Sequence, residues 1–121
     1  MTRPEAVRRI KSYSAATGYV YQYYFYEVAK VRRGLSAGTM YVYMVSLDRQ
    51  KVFPLRIFVR HDAIRKWSQK TGREMTGTEE YAVAKMRLLR TFDEVEDLAS
   101  AQSELVVDES NLETLLEQLG L

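Results

Sequence analysis

Three consecutive stretches rich in aromatic and β-branched residues, 19–33, 39–47 and 52–60, constrain this chain more than any other feature. Such residues suit pleated, half-buried strands, and short connections between them favour antiparallel neighbours. Gly34-Leu35-Ser36-Ala37-Gly38 reads as the first turn and Asp48-Arg49-Gln50-Lys51 as a tight hairpin. If Arg49 and Gln50 form the hairpin loop, Met44, Val42 and Met40 oppose Leu55, Ile57 and Val59, which gathers six apolar residues on one face. The other face then receives Tyr41 against Phe58 and Tyr43 against Arg56, with Arg60 further along. Pro54 lacks a ladder donor and calls for an edge position or a bulge. In the first strand, Lys30 and Arg32 favour sending the even set outward, which places Tyr24 and Tyr26 beside Tyr41, Tyr43 and Arg56. Glu27 on the odd set opposes that choice.

Helices are expected around these strands. Thr2-Arg3-Pro4-Glu5 has the form of a capping box with proline in the first turn, and Val7, Ile10 and Tyr13 would line a short helix ending before Gly18. Asp62 is placed to cap a helix over 63–70, and Thr76 or Thr78 a long one over 79–98. Glu104-Leu105-Val106-Val107 reads as a short fourth strand. Ser110 with Glu113 would cap a last helix over 111–119, closed by Gly120. The expected fold is α+β, an antiparallel three- to four-stranded meander with a long helix packed on one face and short flanking helices. Residues 1–98 form its basic α+β core domain. Residues 99–121 form an acidic linker and C-terminal amphipathic helix, as part of that domain or as an interaction tail.

Charge divides the chain. Residues 1–90 hold 18 basic and 7 acidic side chains, a formal +11, whereas residues 91–121 hold 9 acidic and no basic ones. The two parts should attract each other, or an oppositely charged partner each. At 121 residues, with 46% hydrophobic and 28% charged, the chain fits one globular domain and not a disordered one. It has no cysteine, which excludes disulfides and thiolate metal sites. No apolar run approaches the ~20 residues that span a bilayer, and the N-terminus has no apolar signal core, so a cytoplasmic protein without a membrane partner is expected.

No catalytic or cofactor signature is present. The strongest constellation is the Tyr/Arg-rich sheet face: Tyr24, Tyr26, Arg32, Tyr41, Tyr43, Arg56, Phe58 and Arg60. Flat rings stack on bases and guanidinium groups meet phosphates, which implies a small non-enzymatic binding module for nucleic acid, single-stranded in the first instance. The competing reading makes the same rings ordinary core beneath a helix. Arg3, Arg8, Arg9 and Lys11 would add phosphate contacts. His61 beside Asp62 is a candidate general base without an evident nucleophile, and Asp93, Glu94, Glu96 and Asp97 form an acidic cluster with no calcium-loop spacing. The last helix is too short to stand alone, so Leu112, Leu115, Leu116 and Leu119 must bury against the chain itself or a partner helix. The alternative function is therefore a structural or protein-interaction subunit that homodimerises through the aromatic sheet face or these leucines.

Overall fold

The computed structural model of the protein describes residues 9–49, 51–96, 98 and 104–121. Five strands form one sheet in the order β1 (Lys11–Ser14), β2 (Val20–Arg33), β3 (Ser36–Leu47), β4 (Val52–Arg60) and β5 (Glu104–Val107). The helices are α1 (His61–Thr71), α2 (Gly77–Glu94) and α3 (Leu112–Leu119). The α+β class holds, but the sheet is larger than the expected meander and is mixed. The first four strands pair antiparallel, and β5 runs parallel to β4. A parallel neighbour follows from topology, because α1 and α2 carry the chain back across the sheet before β5 begins.

β1 replaces the second half of the expected N-terminal helix. Its residues pair with Val20–Tyr23, and Tyr13 reaches across to donate a hydrogen bond to Asp93 Oδ2 at 2.7 Å. The proposed helix start at Thr2–Glu5, Val7, and the cations Arg3 and Arg8 lie outside the described residues. Arg9 is exposed, and Lys11 stands opposite Tyr23.

The hairpin between β3 and β4 is displaced by one residue from the expected pairing. Tyr43 faces Leu55, Tyr41 faces Ile57, Val42 faces Arg56 and Met40 faces Phe58. The cause lies in the turn, where Asp48 and Arg49 take φ of 52° and 60°. Two successive left-handed residues there, in place of the expected Arg49-Gln50, shift the whole ladder. Gln50 itself lies outside the described residues. Because side chains alternate, a shift of one residue sends every side chain of one strand to the opposite face relative to its neighbour.

Strand β2 holds a second register change. The pairing passes from Phe25–Tyr43 to Glu27–Val42, which leaves Tyr26 as the extra residue of a bulge. The bulge settles the conflict between Glu27 and the flanking cations. Before it, the odd residues Tyr21 and Tyr23 turn toward the helices; after it, Glu27 turns away from them. Pro54 also finds its place. β5 pairs only with Arg56–Val59, so the N-terminal part of β4 is an edge and needs no donor from Pro54.

The three described helices pack on one face. Tyr21, Tyr23, Tyr41, Tyr43, Val45, Leu55, Ile57 and Val59 meet Trp67 of α1, Val83, Leu88 and Phe92 of α2, and Leu112, Leu115 and Leu116 of α3. α2 begins at a capping box, with Thr76 Oγ1 accepting from Glu79 N and Glu79 Oε1 accepting from Thr76 N. The other two expected caps differ. Asp62 lies in the first turn of α1 and binds Arg60 instead. Asn111 stands at the N-cap of α3, while Ser110 turns to Asp108. Gly38 is not in a turn: the β2–β3 connection is only Gly34-Leu35, and Gly38 lies within β3 beneath the Phe58 ring. A Cβ there would stand 2.5 Å from Phe58 Cε1 and 2.5 Å from the Val59 carbonyl oxygen. Gly38→Ala should therefore cost about 1–3 kcal/mol by overpacking, read from the urea midpoint. An unchanged midpoint would contradict the close approach.

Candidate functional site

The sheet itself divides the predicted site. Tyr41 and Tyr43 lie on the helix-covered side and are 5% and 1% exposed. The Tyr41 hydroxyl donates to Glu80 Oε1 at 2.6 Å, and its ring lies 6.1 Å from that of Tyr81. Arg56 is exposed on the opposite side, where it faces Val42 and Glu104. Phe58 shares that side but is only 3% exposed, packed with Met40, Val42 and Val31. Arg60 is engaged by Asp62, at 3.1 and 2.7 Å. Tyr24 is half-buried opposite Met44, Tyr26 occupies the bulge, and Arg32 is exposed near the far end of β2. The eight residues thus fall in three places, and no continuous stack of rings faces solvent among them.

Burial raises the Tyr41 and Tyr43 hydroxyls far above the ordinary tyrosine value, with Glu80 adding to the shift of the first and Tyr81 to that of the second. The fold favours the neutral phenol. This contribution to stability is complete below pH ~10 and is lost as pH rises through the elevated folded values. In a spectrophotometric titration, Tyr41 and Tyr43 should ionise only as the near-ultraviolet dichroism disappears. Ionisation of Tyr41 and Tyr43 around pH ~10 in an intact fold would refute their burial.

What the helix-free side does contain is a groove of about 510 Å³ at the β1–β4 end of the sheet. Ile10, Met44 and Val52 supply apolar lining, Tyr24 supplies a ring, and Ser12, Gln22, Ser46 and Arg49 supply polar groups. The volume falls within the range of small-ligand sites. Gln22 Oε1 accepts from the Arg49 backbone N–H at 3.0 Å. Since a backbone N–H requires an acceptor, the amide oxygen is oriented toward the turn and its NH2 is left as a donor. The Asp48-Arg49 turn therefore positions Gln22 and places Arg49 in the lining of the groove. Sequence reasoning missed Ile10, Gln22, Met44, Arg49 and Val52: the hairpin register hid Met44, Arg49 and Val52, and reading residues 10–13 as helix hid Ile10 and the β1 neighbour of Gln22.

A second cavity of about 280 Å³ lies between α1 and α3, lined by Ala63, Trp67 and Leu112 and by Lys66, Lys70, Glu109 and Glu113. Lys66–Glu109 at 2.8 Å and Lys70–Glu113 at 2.7 Å tie its rims together. Arg33–Glu104 at 2.6 Å is a third pair between the basic and acidic parts of the chain. The acidic segment therefore docks on its own basic body, with Leu112, Leu115 and Leu116 buried and Leu119 partly so. Exposed ion pairs contribute at most about 1 kcal/mol each, whereas a fully buried leucine contributes about 1.5–3. The leucines hold α3; the charges set its alignment.

The other candidates have local roles. His61 Nε2 lies 2.8 Å from Thr39 Oγ1, and Asp62 faces Arg60, which holds its carboxyl below the usual carboxylate range. Neither described cavity includes Thr39 or His61. Asp93 accepts from the Tyr13 hydroxyl and the Ala16 backbone N–H, while Asp97 lies outside the described residues. Among the described residues, no group of three His, Asp or Glu is placed to hold a metal, and no helix is long and apolar enough to cross a membrane. No family model matches the chain, and neither a curated protein nor a solved structure gives a significant match.

Proposed function

We propose that this protein is a non-enzymatic binding module whose ligand surface is the helix-free face of the sheet, centred on the groove beside Met44. The observation that supports it is a 510 Å³ groove combining an apolar lining with Tyr24, Gln22 and Arg49. That combination fits a ligand with a flat or apolar body and one anionic group: Ile10, Met44 and Val52 receive the body, and Arg49 meets the charge. A single-stranded nucleic acid satisfies the same chemistry one nucleotide at a time. With Tyr41 and Tyr43 covered, however, Tyr24 is the ring the groove offers for stacking. A dimer built on the α3 leucines would first have to undock that helix.

Anilinonaphthalene sulfonate, an apolar body with a sulfonate, is a direct probe. The native protein should bind it saturably at one site. Met44→Glu should abolish binding, and Arg49→Ala should weaken it about fivefold, with near-ultraviolet dichroism unchanged in both. Displacement of the dye by an oligothymidylate at low salt would assign nucleic acid as the ligand class. Dye binding unaffected by either substitution would end the proposal.

A further inference from the structure

Strand β2 is fourteen residues long, yet β1 pairs only with its first four, Val20–Tyr23. On its other side β3 accompanies it through to Arg33. From Glu27 to Arg33, therefore, β2 is a sheet edge with no neighbouring strand among the described residues. The side chains along it are open: Glu27, Ala29, Lys30, Arg32 and Arg33 are exposed, and Val28 is 49% exposed. Leu35, in the turn that ends the strand, is 99% exposed. An edge of this length presents a row of backbone donors and acceptors to any extended chain.

The side chains determine which chain fits. Beyond the bulge, Val28, Lys30 and Arg32 share one face and Glu27, Ala29, Val31 and Arg33 the other. Arg33 is bound to Glu104, but neither Lys30 nor Arg32 has an acidic partner among the described residues. A second copy paired edge to edge about a two-fold axis normal to the sheet would place Lys30 and Arg32 of both chains on one face. Like charges so close across a ladder repel. A strand with acidic residues two apart would instead place carboxylates opposite both cations.

We propose that the Glu27–Arg33 edge of β2 accepts an extended, acidic peptide segment as a sixth strand. Its acidic side chains face Lys30 and Arg32, its apolar ones Ala29 and Val31, and Leu35 offers an apolar contact where the strand ends. This surface is separate from the groove, and its test does not depend on the groove being a ligand site.

The probe is a capped heptapeptide alternating Val and Glu, titrated to millimolar concentration into labelled protein. Amide shifts should be confined to Glu27–Leu35, and hydrogen exchange of the outward amides of that edge should slow. A Val/Lys peptide should bind about tenfold more weakly. The exposed double substitution Lys30→Glu and Arg32→Glu should reverse that preference. Equal response to both peptides, or no response to the acidic one, would overturn the proposal. So would concentration-dependent shifts of the same amides without peptide, since those report a second copy on the edge.

Discussion

Replacing Phe92 by alanine should lower the unfolding free energy by about 3–5 kcal/mol, the largest loss expected from any single truncation in this protein. Phe92 is fully buried on α2, and its ring stacks on Tyr21 with centroids 4.3 Å apart and planes 8° from parallel. It also lies 5.8 Å from the rings of Tyr13 and Tyr23. One side chain thus fastens α2 to β1 and β2, and the flanking rings are too rigid to collapse into the space it leaves. The loss should exceed that of Phe92→Leu, which keeps most of the apolar volume. An unfolding free energy from urea titration within about 1 kcal/mol of the parent for the alanine variant would contradict this arrangement.

Leu115→Ala should cost about 2–5 kcal/mol, because Leu115 is wholly buried in the core cluster where α3 packs against α2. The eight-residue α3 has no helical stability of its own, so its folded form depends on docking. The loss is therefore expected to be cooperative, with one unfolding transition and the protein monomeric throughout. Raising salt should change little, because Lys66–Glu109 and Lys70–Glu113 are exposed pairs. If Leu115→Ala left the stability unchanged and altered only self-association, the leucines would be serving a partner, and docking in cis would be wrong.

The uneven division of charge along the chain pointed to an attraction between its two parts or to a charged partner for each, and the ion pairs show the first. The strand runs, a threonine cap at Thr76 or Thr78, and β5 were legible from composition and spacing alone. The hairpin register was not. It rested on collecting apolar residues on one face, but both faces of this sheet are apolar. Tyr41, Tyr43, Leu55 and Ile57 lie under the helices, and Met40, Val42 and Phe58 lie on the other side. When neither face is polar, hydrophobic pattern specifies register weakly and the turn decides it. Here the turn places Arg49 at φ 60°, a conformation its sequence does not advertise. β1 was misread because Val7, Ile10 and Tyr13 follow helical spacing, whereas the contact that matters to Tyr13 is eighty residues away at Asp93. The bulge at Tyr26 was equally hidden, although the clash between Glu27 and its cationic neighbours was its one trace.

The same misreading explains why the first site dissolved. A slip of one residue moved Tyr41 and Tyr43 beneath the helices and brought Met44 beside Tyr24 on the open side. The candidate groove depends on that register and on β1, which brings Ile10 and Ser12 beside Gln22.

Methionine methyl resonances test the face assignment together with the groove. Met44 lines the groove, while Met75 and Met86 pack against the helix-side core. Titration of methyl-labelled protein with anilinonaphthalene sulfonate should move the Met44 signal and leave Met75 and Met86 in place. Shifts at Met86 or Met75 with Met44 unmoved would put the ligand surface on the helix-covered side and contradict the account.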